Sequence, residues 1–278
     1  PHVDPDSPGN VTWRTFDHRP RFGNNYVGLR NRIAILSEAY SYLDFPGRVA
    51  ATGAFVEEVW RASARHAKRI MTVTGQADRS MTVARAATAR PIELGLDFEI
   101  RALPEPVDIL VGDVGRRLNP RSGKEMLEMT AMAVPVQMKD YGLFAATRTR
   151  PLPTGWLIPR ALANGPRLAA AIDRLRAHGI RMEEVTADGP RDVDRFVIAT
   201  VTKAPRAFQG HQEVRLTGTL ERAQLSVQAG AVIVPARQPL ARLAFYLLEP
   251  DSDDGLVTWN AVEDGLEPGM AFPIYRLR

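Results

Sequence analysis

Arg32-Ile33-Ala34-Ile35-Leu36-Ser37-Glu38-Ala39-Tyr40 is a short apolar run with a single acid inside it. Its length and content fit a strand buried on both faces, as the strands of parallel sheets are. After Phe45-Pro46-Gly47 the period changes. Val49, Phe55, Val56, Val59 and Trp60 recur at three- and four-residue spacing and the ridge continues through Ile70, which predicts a long amphipathic helix from about Pro46 to Ile70. Strand, Pro-Gly turn and long helix make half of an α/β unit. An ionised carboxylate in a buried strand is costly unless it is paired, hydrogen-bonded or open to a cavity. Glu38 is therefore either a strand-end residue paired with Arg30 or Arg32, or a general base at the mouth of a parallel sheet, where α/β enzymes place their sites.

Upstream, residues 1–25 are polar and rich in proline, glycine and asparagine, and they read as an extended loop. From Arg19 to Arg32 this loop holds four arginines, several amides and Tyr26 within fourteen residues. Guanidinium forks match carboxylates, so beside Glu38 the loop is a candidate substrate lip. Downstream of about residue 75 the texture alternates apolar and polar residues, notably over 92–100, 193–201, 213–220 and 225–228, as half-buried antiparallel strands do. One helix is expected over 167–178, stopped by Gly179, and another over 239–248. The fold class expected is thus an α/β remnant in residues 1–75 followed by a mostly-β domain with two helices in residues 90–278.

Composition narrows the chemistry. The chain has 278 residues, 45% hydrophobic and 24% charged, which suits one or two folded domains rather than disorder. Cysteine is absent, which removes thiol nucleophiles, disulfides and iron–sulfur sites from this chain. A net charge of +4 does not argue for nucleic-acid binding, and no apolar run is long enough for a membrane span. Pro1 opens a segment with no signal-like apolar region, and the start reads as a cut. None of His2, His18, His66, His178 or His211 begins a zinc-seating pair, so no metal ligand is assigned. His178, just before Gly179, fits a helix cap carrying a favourable positive charge. Gly115 to Glu125 imitates a phosphate loop with the wrong spacing, and Asp251-Ser252-Asp253-Asp254-Gly255 imitates a calcium loop without its distal glutamate. The latter reads as a solvated turn.

The run Pro20-Arg21-Phe22-Gly23-Asn24-Asn25-Tyr26-Val27-Gly28-Leu29-Arg30-Asn31-Arg32, followed by Leu36-Ser37-Glu38-Ala39-Tyr40-Ser41-Tyr42, resembles the end of the catalytic domain in bacterial zinc carboxypeptidases, the carboxypeptidase A-like metallopeptidases. Gly230 to Pro235, Leu247-Leu248-Glu249-Pro250 and Gly255 to Asn260 resemble the carboxy-terminal extension of larger homologues. The resemblance implies that Glu38 activates zinc-bound water and then protonates the leaving amine, that Tyr26 is the mobile-loop tyrosine, and that Arg21 and Arg30 contact substrate. It places zinc, a peptide substrate and the zinc ligands with an upstream catalytic segment, not on this chain, and it implies export to the periplasm or exterior. Without that segment, the strand bearing Glu38 lacks its neighbours and this chain alone is expected to be inactive. The alternative is a non-catalytic module that binds peptide, cell-wall material or the catalytic domain, including an inactive homologue.

Overall fold

The computed structural model describes residues 2–3, 11–39, 43–83, 90–129, 132–164, 166–262 and 265–278. Tyr40, Ser41 and Tyr42 of the quoted run lie outside them. The described helices are α1 (Gly23–Leu29), α2 (Phe45–Arg65), α3 (Ala67–Ser80), α4 (Arg160–Ala163), α5 (Pro166–Ala177) and α6 (Ala241–Leu248). The protein is a mixture of helices and several sheets. It divides into two compact units, one made of segments 1–17, 35–73 and 99–145, the other of 18–34, 74–98 and 146–278.

The first unit contains a four-stranded sheet in the order His2–Val3, Val11–Arg14, Val134–Tyr141, Val107–Val111. Val11–Arg14 runs parallel to Val134–Tyr141, and the other pairings are antiparallel. Helix α2 starts where its sequence says it should. Asp44 accepts a hydrogen bond from the Gly47 amide at 2.9 Å, and Pro46 occupies the first turn, where its missing N–H costs nothing. The long helix expected over 46–70 is broken at His66 into α2 and α3, and neither buries a residue. The buried strand expected around Glu38 is not formed: residues 32–39 are irregular, and Ile33, Ile35 and Leu36 are 60%, 60% and 58% exposed. A strand needs a neighbour's backbone to hydrogen-bond, and none of the described strands pairs with this segment.

The second unit is built on a six-stranded antiparallel sheet ordered Glu183–Glu184, Val232–Pro235, Gly155–Ile158, Tyr275–Leu277, Gly189–Lys203, Val214–Val227. Gly155-Trp156-Leu157-Ile158 lies inside this sheet with all four residues buried, which is why it reads as a continuous apolar run instead of alternating. Gly189–Lys203 and Val214–Val227 form a long ladder with a bulge between Ile198 and Thr200. Helix α5 packs Leu168, Ala171, Ile172 and Leu175 into the core and ends in a Schellman motif. Gly179 takes the left-handed conformation at φ +74°, its N–H meets the Arg176 carbonyl, and the Ile180 N–H meets the Leu175 carbonyl. His178 is thereby fixed as the capping residue. Helix α6, apolar almost all round, is buried along its length.

Candidate functional site

The turn after α6 is the most heavily charged interior of the protein. Glu249, Asp251, Asp253 and Asp254 are all buried, together with Ser252, so the segment expected to be a solvated turn is a core element. Buried carboxylates must be paired, and each of these is. Glu249 accepts from Arg150 at 2.8 Å, from the Trp156 indole at 3.0 Å and from Arg276. Asp251 takes a bidentate fork from Arg150 at 2.7 and 2.9 Å, and Arg148 reaches both its carboxylate and, at 2.6 Å, its carbonyl. Arg148 and Arg150 stand two apart on the strand Leu143–Pro151, so the pleat points both guanidinia to one face. Asp253 is held by His18 at 2.6 Å and by the Tyr246 hydroxyl. Burial, and then the neighbouring Asp253 charge, push the Tyr246 phenol far up, so it remains a donor.

Arg21 completes this interior. Its backbone N–H and Nε both donate to Asp254 at 2.8 Å, Nη1 reaches Glu213, and the guanidinium lies 4.6 Å from the centroid of the Trp259 ring. The Trp259 indole N–H donates to the same Asp254 at 2.9 Å. Burial works against the charge on Arg21, but the bonds to Glu213 and Asp254 outweigh it and raise its pKa. Every charge-bearing group of this guanidinium thus has an acidic neighbour in the fold itself.

Tyr26 and Arg30 sit one turn apart on and after α1, and the structure brings them together at His178. The Tyr26 hydroxyl is 2.8 Å from His178 Nδ1, while Arg30 donates to the Tyr26 oxygen at 3.1 Å and to the His178 carbonyl at 2.6 Å. Arg30 therefore caps the end of α5 through a carbonyl, and Tyr26 is on a helix instead of a free loop. Burial first, then the charges of Arg30 and Arg174, lower the His178 pKa. The cap position was legible from Gly179, but the expected positive charge on His178 is opposed by burial and by two cations, Arg174 in the same last turn and Arg30 from after α1.

Glu38 belongs to the first unit and is exposed. Among the described residues it makes no ion pair, and the partners considered for it are engaged elsewhere: Arg32 forks onto Asp78 at 3.0 Å and Arg30 onto the end of α5. Its neighbours Ser37 and Ala39 line an open cavity of about 620 Å³ with Phe45, Arg48, Val49 and Val56. Arg48 donates to the Ala39 carbonyl at 3.1 Å, which ties the Glu38 segment to α2. Among the described residues, no group of three or more histidine or acidic side chains is arranged to hold a metal ion. No helix of the structure is long and apolar enough to cross a membrane.

The acidic interior was missed because acids in a glycine-ended turn ordinarily mean solvent. The signal that points to it is the matching set of arginines, Arg148 and Arg150 in one strand and Arg276 near the other end of the chain, which only the folded topology brings together.

With this geometry in view, the comparisons can be placed. The chain is 25% identical over 151 residues to Carboxypeptidase 2 of Trichophyton equinum, a match covering 54% of this chain and 27% of that protein. It is 24% identical over 150 residues to Carboxypeptidase 2 of Trichophyton tonsurans, covering 54% of this chain and 26% of the relative. The chain spans about a quarter of the length of the curated relatives it matches. No protein-family model and no solved structure matches it. The likeness is weak, and it is to carboxypeptidases.

Proposed function

We propose that this chain is part of a zinc-dependent carboxypeptidase-like hydrolase acting on peptide or amide bonds, with Glu38 as its catalytic carboxylate. The observation that carries this reading is the similarity to Carboxypeptidase 2 over about half of the chain. The described residues do not fit a zinc site, so the metal belongs with an upstream catalytic segment and no step is derived through it. Glu38 is exposed, makes no ion pair with a described residue and stands beside an open cavity, and in this proposal it takes a proton from an attacking water and returns it to a leaving amine. Tyr26 and Arg30 are substrate contacts in this proposal, with the Tyr26 hydroxyl and the Arg30 guanidinium handed from the end of α5 to the peptide when it binds. Arg21, the third expected substrate contact, is held in the fold by Asp254 and Glu213.

The upstream segment in this proposal also covers Ile35 and Leu36 and the exposed apolar face of α2, where Phe45 is 76% and Trp60 73% exposed. The test uses the longest natural form of the protein and peptides with free or blocked carboxy termini. Glu38→Gln is expected to lower kcat by roughly a hundredfold or more with an unchanged melting temperature, since an exposed side chain contributes little to the fold. Full turnover by the Gln variant would remove Glu38 from the mechanism.

A further inference from the structure

Where α5 ends, a cavity of about 220 Å³ opens between its last turn and the segment 255–261. Leu247, Leu256 and Ala261 give it apolar walls, and Trp259 adds carbon surface because its indole N–H is spent on Asp254. The polar lining consists of Arg174, His178 and His211, with no acid among the lining residues. Arg174 makes no ion pair with a described residue. The nearest acid on its helix, Asp173, pairs with Arg176 instead.

The hydrogen bonds around His178 decide what its ring offers. Arg30 donates to the Tyr26 oxygen, and the assignment that gives the Tyr26 proton an acceptor places it on His178 Nδ1. Nδ1 is then an acceptor, and the neutral ring carries its proton on Nε2. The cavity is accordingly lined by a guanidinium without a counterion and an imidazole N–H donor over an apolar and aromatic floor. Its volume is below the roughly 300 Å³ at which pockets for drug-sized molecules begin, which suits an occupant the size of a single aromatic ring with its carboxylate.

We infer that this cavity binds a small organic carboxylate with an aromatic or apolar body, its carboxylate on Arg174 and His178 and its body against Trp259, Leu247 and Leu256. The inference concerns binding and not turnover, and it describes the state in which Tyr26 and Arg30 rest on His178.

Phenylacetate titrated into the full chain, followed by calorimetry, is the direct test, with acetate and 2-phenylethanol as controls. Phenylacetate should saturate one site, and each control, lacking either body or charge, should bind far more weakly. Arg174→Gln, on an exposed face of α5, should weaken phenylacetate by at least about tenfold, the loss of one charge-assisted contact. Ala261→Leu, filling the cavity, should abolish the site. No saturable phenylacetate binding, equal affinity for 2-phenylethanol, or an Arg174→Gln variant with unchanged affinity would each overturn the assignment.

Discussion

Glu249 is buried against two arginines and a tryptophan, and its environment sets what one substitution does. Glu249→Gln leaves Arg276 and Arg150 charged in the interior with their acceptor weakened, and burial already lowers the Arg276 pKa. Breaking one side of such a pair costs about 3–5 kcal/mol. Thermal melting should therefore show a fall of roughly 6–20 °C for Glu249→Gln. By contrast Glu221→Gln, which breaks the exposed pair with Arg195, should stay within about 0.5 kcal/mol of the parent. Asp253 adds a pH dependence whose sign follows from its partners. Burial raises its pKa, but the bonds from His18 and Tyr246 and the charges of His18 and Arg215 outweigh burial and hold the carboxyl below its ordinary 3.8. A depressed native pKa means stability that is complete above 3.8 and is lost as pH falls through the native value. Asp253→Asn should lower stability at neutral pH and flatten the loss below about pH 4 in acid-unfolding curves.

At the scale of elements, contrasting glycines separate packing from propensity. Gly218 lies in the strand Val214–Val227, where a Cβ would stand 2.2 Å from the Val197 carbonyl oxygen and 2.7 Å from the Phe196 ring. Gly53 lies in the middle of α2 with nothing within 4 Å of the same position. Gly218→Ala should destabilise the second unit by about 1–3 kcal/mol, and Gly53→Ala should strengthen α2 by about 0.5–1 kcal/mol, read from circular dichroism at the helical band. Elements of the first kind of signal, a cap or a breaker lying within the element itself, were legible. The Pro46 start of α2, the Gly179 stop of α5 and the alternation over 193–201 and 213–220 all correspond to formed structure. The run around Glu38 failed as a strand because periodicity specifies only which face is apolar, whereas the hydrogen-bonding neighbour must come from distant chain. The acidic turn failed for the same reason in reverse. Its counterions lie 99 to 103 positions away in Arg148 and Arg150, and a local window sees acids without the arginines that bury them.

Across the molecule, burial is unevenly shared between the two units. Among the described residues, Met138 and Tyr141 are the only buried apolar side chains of the first unit, while Trp156, Phe196, Phe245, Phe272 and the rest of the buried core belong to the second. Local stability follows buried apolar contacts, so the units should open with different free energies instead of in one cooperative step. Native-state hydrogen exchange on this chain should show the amides of α2 and Val107–Val111 exchanging at least about a hundredfold faster than those of Gly155–Ile158 and Val214–Val227. The same measurement weighs the proposed upstream segment. In a longer form of the protein that carries it, cover over Ile35, Leu36, Phe45 and Trp60 should slow exchange through 35–39 and α2 and leave Gly155–Ile158 unchanged. Equal, rapid exchange of 35–39 and α2 in both forms would mean that the exposed apolar residues of the first unit are not the docking face of a catalytic segment.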